Sequence, residues 1–469
     1  MRGRWWCGRV PVILIVSLCL ILYTGHDVLR YLSYHATAYD LGFFDQIASN
    51  LSAGRGWTSS FIGYDFRGQH WEPILLLWAQ LDRLFASPIW LLVINSVALG
   101  LAPLAAWRLA RCWLGTDSAA PPMAALATAL SPLVLRTAGF DYHSEALTPL
   151  LALLALEAAS RRRWLAVAAC CGVLMLLKED AFLVVAGIGW LIWRADGRRS
   201  GLLLSAAAIA GFVAVVGVYM PGIRHGQTGD LVARYAYLSA DGHAAGPSEI
   251  LAGMVVHPGT WLAHLTTAAP LQGLALALVP LAFLPLLSGW AALAPVPPLA
   301  VALLANDPTQ SSLLLHYGAE VFPLLLACAL LGWRRVEAWG LPQRVPAPRA
   351  AAALLVTGVI AAVPLTVDLG LRAREFSGLE RHAAVQALID RVPAGAGVAA
   401  SSELVAHLSE RADITEVPDI RGARWVIVDS ERAPSLQALG AGYQATVDQL
   451  PGQFHVVASS AGVTLWERS

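Results

Sequence analysis

Tyr39-Asp40-Leu41-Gly42-Phe43-Phe44-Asp45-Gln46 places two carboxylates five residues apart in an apolar setting, just beyond the first long hydrophobic run. Acids at a membrane surface are costly unless they pair, bind or react, so Asp40 and Asp45 are the first candidates for chemistry. His70-Trp71-Glu72-Pro73, Asp141-Tyr142-His143-Ser144-Glu145, Lys178-Glu179-Asp180 and His316-Tyr317 add imidazoles, carboxylates and an ammonium. Such an inventory supplies a general base, ligands for a metal or a hydroxyl, and a cation for phosphate. Asp141, His143 and Glu145 alternate as metal ligands can, although short triplets of this kind are common. Each cluster also has a plainer role open to it: loop capping for Asp40 and Asp45, interfacial solvation for His70 and Glu72, a local ion pair for Lys178, Glu179 and Asp180, and snorkelling for His316 and Tyr317.

Composition decides the solvent around these residues. With 57% hydrophobic and 14% charged residues and a mean hydropathy of +0.58, the chain is far more apolar than a globular protein, in which about 25% of residues are charged. It reads as a polytopic α-helical membrane protein. A formal net charge of zero leaves no basic field for nucleic acid. All six cysteines lie in or beside apolar segments, so no disulfide framework is expected.

Eleven apolar runs could span the membrane: Val10–Tyr23, Pro88–Arg108, Ala119–Ala138, Ala146–Ser160, Trp164–Leu177, Ala181–Trp193, Leu202–Tyr219, Leu271–Ser288, Trp290–Ala305, Val321–Trp333 and Ala350–Leu371. Several fall short of the roughly 20 residues a crossing helix needs, which predicts thinned, buried or re-entrant helices. The first lacks a small-x-small cleavage site after it and reads as an uncleaved helix. With the N-terminus inside, Arg108/Arg111, Arg161–Arg163, Arg194/Arg198/Arg199 and Arg334/Arg335/Arg344/Arg349 all fall on the inner side, as the positive-inside rule asks. The acidic and histidine clusters then fall outside, with residues 29–87 and 222–269 as long outer loops. Pro73–Phe85 shows helical apolar spacing interrupted by Gln80, Asp82 and Arg83, which predicts an interfacial helix.

After Leu371 the composition becomes that of a soluble fold. The chain therefore divides into a transmembrane part, 1–371, and a small extracytoplasmic α/β domain, 372–469, of a protein of the plasma membrane. Gly378–Arg391 and Ser402–Arg411 read as helices, the latter capped by Ser402; Gly397–Ser401 and Arg424–Asp429 read as strands; Phe454–Ala458 and Val463–Glu467 read as a hairpin. No Gly-x-Gly-x-x-Gly marks a nucleotide site there.

The four motifs Tyr-Asp-Leu-Gly-Phe-Phe-Asp-Gln, His-Trp-Glu-Pro-Ile-Leu-Leu-Leu, Phe-Asp-Tyr-His-Ser-Glu-Ala and Leu-Lys-Glu-Asp-Ala, in this order, resemble a family of prokaryotic multispanning membrane proteins known by a domain-of-unknown-function label. More distantly, a first-loop acid, an interfacial helix opened by Pro73 and the Tyr317-to-Pro323 helix start are similar to the GT-C glycosyltransferases. That likeness implies a GT-C-like fold and a sugar transferred from a polyprenyl-phosphate donor to an unidentified extracytoplasmic acceptor, with Asp40 matching the first-loop carboxylate. Asp40-Leu41 stands where many such enzymes have Asp-Glu, and His-Trp-Glu-Pro where they often have Lys-Pro-Pro or His-Pro-Pro. The implied mechanism is direct displacement at the anomeric carbon. Asp40 deprotonates or orients the acceptor, Lys178 or His70 stabilises the leaving phosphate, and a divalent cation held by Asp45, Glu72 or His143 could assist. The competing class is a transporter or flippase, which would place its site at the midplane between related halves. A third is a scaffold whose outer domain binds a partner.

Overall fold

The computed structural model describes residues 9–116, 118–225, 229–239, 242, 246–339, 378–431 and 437–469. The expected span Ala350–Leu371 lies outside these. Helices α1 (Arg9–Leu32), α4 (Ile89–Leu114), α7 (Thr148–Ser160), α8 (Trp164–Leu177), α9 (Ala181–Asp196) and α10 (Arg199–Ala214) form the bundle with the helix Phe322–Ala338. Between them, α2 (Phe43–Ser52), α3 (Leu75–Asp82), α5 (Ala120–Ala129) and α6 (Pro132–Ala138) are shorter. The protein is a mostly helical membrane protein carrying a small C-terminal sheet domain.

Apolar sequence makes these helices, and the pattern of burial orients them. On α1, Val10, Leu14 and Ile21 are exposed as a lipid-facing surface requires, whereas Val12, Val16, Cys19 and Tyr23 are buried. α9 and α10 approach through glycines: a Cβ on Gly189 would lie 2.6 Å from the Gly201 carbonyl, and one on Gly201 2.5 Å from that of Gly189. Without a hydrophobic force between helices in lipid, such close backbone packing holds neighbours together.

Three described helices are long and apolar enough to cross a membrane, Val10–Leu32, Ile89–Leu114 and Arg199–Arg224. Two bent pairs, Pro258–Leu265 with Ala268–Leu281 at 63° and Leu284–Leu293 with Val296–Leu303 at 104°, are each a broken span or a re-entrant loop, which makes five at most among the described residues. Several expected spans change shape for stated reasons. Ala119–Ala138 is broken at Ser131, whose extended backbone precedes Pro132. The break expected near Gly289 is joined by an earlier one at Ala282 and Phe283, both left-handed at φ 48° and 56°. The first helix continues to Leu32, well past Tyr23. The helix expected over Pro73–Phe85 shortens to α3, and Leu76, Leu77, Leu84 and Phe85 around it are exposed.

The C-terminal domain carries β1 (Val398–Ala400), β2 (Ile414–Glu416), β3 (Trp425–Asp429), β4 (Phe454–Ser460) and β5 (Val463–Arg468) in the order β2-β1-β3-β5-β4. β1 is parallel to both neighbours, while β5 is antiparallel to β3 and β4. The expected helix Ser402–Arg411 shortens to Ser402–Val405 with Ser401 at its N-cap. The domain seats on the start of the first loop. Tyr34 and Ala38 join its core beside Val385 and Leu388. His407 stacks on Tyr31 at 4.0 Å between centroids and donates from Nε2 to the Tyr31 carbonyl at 3.0 Å.

Candidate functional site

The polar clusters from five separate stretches meet at one end of the bundle. Arg30, near the end of α1, is ion-paired with the buried Asp141. Asp141 Oδ2 also accepts from Thr37 N at 2.8 Å and from Thr37 Oγ1 at 2.7 Å, and Thr37 Oγ1 lies 2.7 Å from Asp40 Oδ2. Thr37 starts a single π-helical turn, Ala38–Gly42, which turns Asp40 toward this network before α2 begins. His143 Nε2 lies 3.3 Å from Asp40 Oδ1. The Asp40 side chain keeps 25% of its surface open, against 6% for His143, so the carboxylate is the reachable member of the pair.

His143 continues the chain of contacts. Its ring stacks on His316 with centroids 3.5 Å apart, and His316 Nε2 lies 3.7 Å from Glu145 Oε1. Glu145 is in turn ion-paired with Lys178. Lys178 ends α8 in extended conformation and Asp180 precedes α9. His316 follows Leu313 and Leu315, both left-handed at φ 54° and 53°. Bulky residues are rarely held so, and strain of this kind gathers where geometry is needed for function. A small cavity opens among Glu145, Lys178, Asp180, His316, Tyr317 and Glu320.

A second arm reaches the same place. His70 Nδ1 lies 2.9 Å from Glu179 Oε1, and the Trp71 backbone N–H donates to Glu179 Oε2 at 2.9 Å. Glu72 is buried nearby, with one carboxyl oxygen lacking a hydrogen bond. From the loop after α10, Arg234 donates to Gln310 Oε1 at 2.6 Å and to the Tyr317 hydroxyl at 3.0 Å.

Electrostatics separates these acids into two kinds. Burial pushes the Asp40 carboxyl up, but hydrogen bonds from His143 and Thr37 and the charges of His143 and Arg30 prevail, leaving it below the usual carboxylate range. Burial also opposes ionisation of Glu145, yet Lys178 and His143 bring it down to about 2. Asp180 goes the other way: burial and repulsion from Glu179 raise it to about 7 despite Lys178 and Arg234. Glu320 and Glu72 are raised well above the carboxylate range, first by burial and then by neighbouring acids. Burial and the charges of His143, Lys178 and Arg234 depress His316. Pairs of acids pushed apart in this way can divide proton donation from proton acceptance.

Asp45 does not join them. It is fully buried, accepts from Ser409 Oγ of the C-terminal domain at 2.7 Å, and is raised well above the carboxylate range by burial, with Glu410 and Asp82 adding to the shift. Asp141, His143 and Glu145 turn to different partners, Arg30, Asp40 and Lys178 respectively. Among the described residues no group of three or more His, Cys, Asp or Glu is placed to hold a metal ion. The sequence reading missed Arg30, Thr37, Arg234 and Glu320, because an isolated polar residue near a helix end carries no spacing signal.

A family profile described as "Predicted membrane protein (DUF2079)" matches residues 30–464. Two solved structures of ArnT from Cupriavidus metallidurans, one bound to undecaprenyl phosphate and one in the apo state, are similar at 14% identity and a TM-score of 0.49, with 97% of each chain covered. No curated protein matches.

Proposed function

The chain belongs to the DUF2079 family of membrane proteins, and from that premise we propose that it is a membrane glycosyltransferase moving a sugar from a polyprenyl-phosphate donor to an extracytoplasmic hydroxyl. The observation that carries this reading is the continuous line from the partly open Asp40 through His143, His316 and Glu145 to Lys178. Asp40, held ionised by His143 and Thr37, accepts the acceptor's proton as its oxygen attacks the anomeric carbon. The bond from that carbon to the phosphate oxygen breaks, and the phosphate leaves as an anion. Lys178 and Arg234 provide the positive charge, and helix N-termini favour anions at the same end: α2, α7, α9 and Phe322–Ala338 all begin here. Holding donor and acceptor together is the larger contribution, worth roughly 7–11 kcal/mol of the barrier.

The transporter reading needs a site reached from both sides. The clustering of these groups at a single end of α7, α8 and α9 favours transfer over transport. The C-terminal domain then lies on the extracytoplasmic face beside the site. The test is sugar transfer from radiolabelled polyprenyl-phosphate sugars in membranes bearing wild type or Asp40→Asn. Transfer falls by about 10²-fold or more if Asp40 is the base; undiminished transfer removes it from that role.

A further inference from the structure

A larger cavity, about 600 Å³, lies at the opposite end of the bundle. α7 and α9 and the helix Phe322–Ala338 all begin at the site described above and run 13, 16 and 17 residues away from it. At 1.5 Å per residue their far ends lie roughly 20–25 Å from the carboxylate cluster. There the wall is part apolar and part cationic. Leu156, Leu191, Ile192 and Leu331 supply hydrocarbon, and Arg194, Arg334 and Arg335 supply charge.

The guanidinium groups are partly positioned. Arg335 donates to the Leu287 carbonyl at 3.1 Å, and a Cβ on Gly289, itself at φ 66°, would strike its Nη2 at 2.6 Å. Arg194 lies over the Trp193 ring at 5.5 Å. Among the described residues of the lining the one acid, Asp196, faces Arg198 at 3.1 Å and not the other three arginines. Trp113 and Trp164 complete the rim, as aromatic residues do at the headgroup level of a bilayer.

We propose that this cavity is a binding site for an anionic phospholipid, whose phosphate sits among Arg194, Arg334 and Arg335 and whose acyl chain lies along Leu191 and Leu331. The charge complementarity selects the occupant. A zwitterionic lipid would bring an ammonium into a cluster that already holds three guanidinium groups. Arginine forks match phosphate oxygens pairwise, and basic pockets between membrane helices hold such headgroups. The site is separate from the carboxylate cluster and does not rest on the glycosyltransferase reading.

Cys112 lines the same cavity and reports on its occupancy. The full chain is placed in nanodiscs of phosphatidylcholine alone or with phosphatidylglycerol, and alkylation of Cys112 by a neutral maleimide is followed by peptide mass spectrometry, with Cys112→Ser as background. Phosphatidylglycerol slows alkylation by at least about tenfold in wild type, since each arginine beside an anionic headgroup adds about fivefold in affinity. The combined Arg194→Gln, Arg334→Gln and Arg335→Gln variant loses that protection while keeping the wild-type rate and melting temperature in phosphatidylcholine. If the triple variant does not fold, Arg334→Gln alone loses about fivefold in retained phosphatidylglycerol by native mass spectrometry. Equal alkylation rates in the two lipids overturn the proposal. So does a Cys112 that is unreactive in phosphatidylcholine, which means the chain itself fills the cavity. Protection by inorganic phosphate alone overturns the lipid assignment and leaves a free-anion site.

Discussion

The two ends of the helix bundle treat their charges in opposite ways. At the basic end Arg161–Arg163, Arg194, Arg199, Arg334 and Arg335 are exposed, and the buried acid Glu157 is clamped by Arg108 at 2.9 Å and Arg161 at 2.7 Å. At the other end Asp141, Glu145, Glu179, Asp180 and Glu320 are all buried around Lys178, Arg30 and Arg234. Exposed arginines cost little, since water already solvates their charge. Buried acids and bases each lose several kcal/mol of hydration that their partners must offset. Five such acids gathered in one place are costly to keep, and this contrast, more than any single motif, supports the proposed site.

The sharpest way to break the comparison is to remove one charge from each end. Lys178→Met leaves Glu145 buried without its ammonium and is expected to lower stability by about 3–5 kcal/mol, the usual result of breaking a buried pair from one side. Arg161→Gln leaves Glu157 with Arg108 and is expected to cost about 0.5 kcal/mol. Thermal unfolding of both variants in the same detergent decides it; equal losses would mean that the two ends are equivalent.

Acidity separates the site from the domain seam. Asp180, raised to about 7 in the folded chain from 3.8, keeps a proton between those values that the unfolded chain has lost. Its contribution to stability is therefore complete below about pH 4 and declines as the pH rises through about 7. His407 has the opposite sign. Burial and the nearby His382 lower it from 6.5 to about 3, despite the backbone hydrogen bond to Tyr31, so its contribution is complete above 6.5 and is lost as the pH falls toward 3. Asp180→Asn is expected to flatten the fall in bundle stability between pH 4 and 7. His407→Gln is expected to remove an acid-induced loosening of the C-terminal domain, read as protease cleavage after residue 377. If both variants change the same transition, the seam and the site are one electrostatic unit.

Much of this arrangement was legible because apolar runs and charged clusters are local signals. The gathering of basic turns at one end of the bundle and of acids at the other, strands β1 and β3 and the β4–β5 hairpin all follow from patterns within a few residues. The pairings were not legible. Arg30 meets Asp141 across 111 residues and His143 meets His316 through ring stacking, contacts that no spacing rule encodes. The break at Ser131 was signalled by Pro132, and the apolar content of Ala119–Ala138 concealed it. β2 was missed because Ile414-Thr415-Glu416 is three residues long and takes its identity from the neighbouring β1.

The smallest expected effect separates the two carboxylates that the sequence sets side by side. Asp40 is held toward its ionised form and partly open, so Asp40→Asn is expected to remove both a charge and the proposed base, abolishing sugar transfer while the fold survives. Asp45 is buried and held toward its protonated form, with Ser409 donating to one oxygen. An amide is close in shape to a protonated carboxyl and retains an oxygen that can accept from the Ser409 hydroxyl. Asp45→Asn is therefore expected to leave sugar transfer within about twofold and to change stability by less than about 1 kcal/mol, the scale of one hydrogen bond. Ser409→Ala, which leaves that carboxyl without its donor, is expected to cost slightly more, about 1–2 kcal/mol, seen as earlier release of the C-terminal domain on heating. A loss of transfer in Asp45→Asn as large as that in Asp40→Asn would show that the domain seam, and not only the open carboxylate, takes part in the reaction.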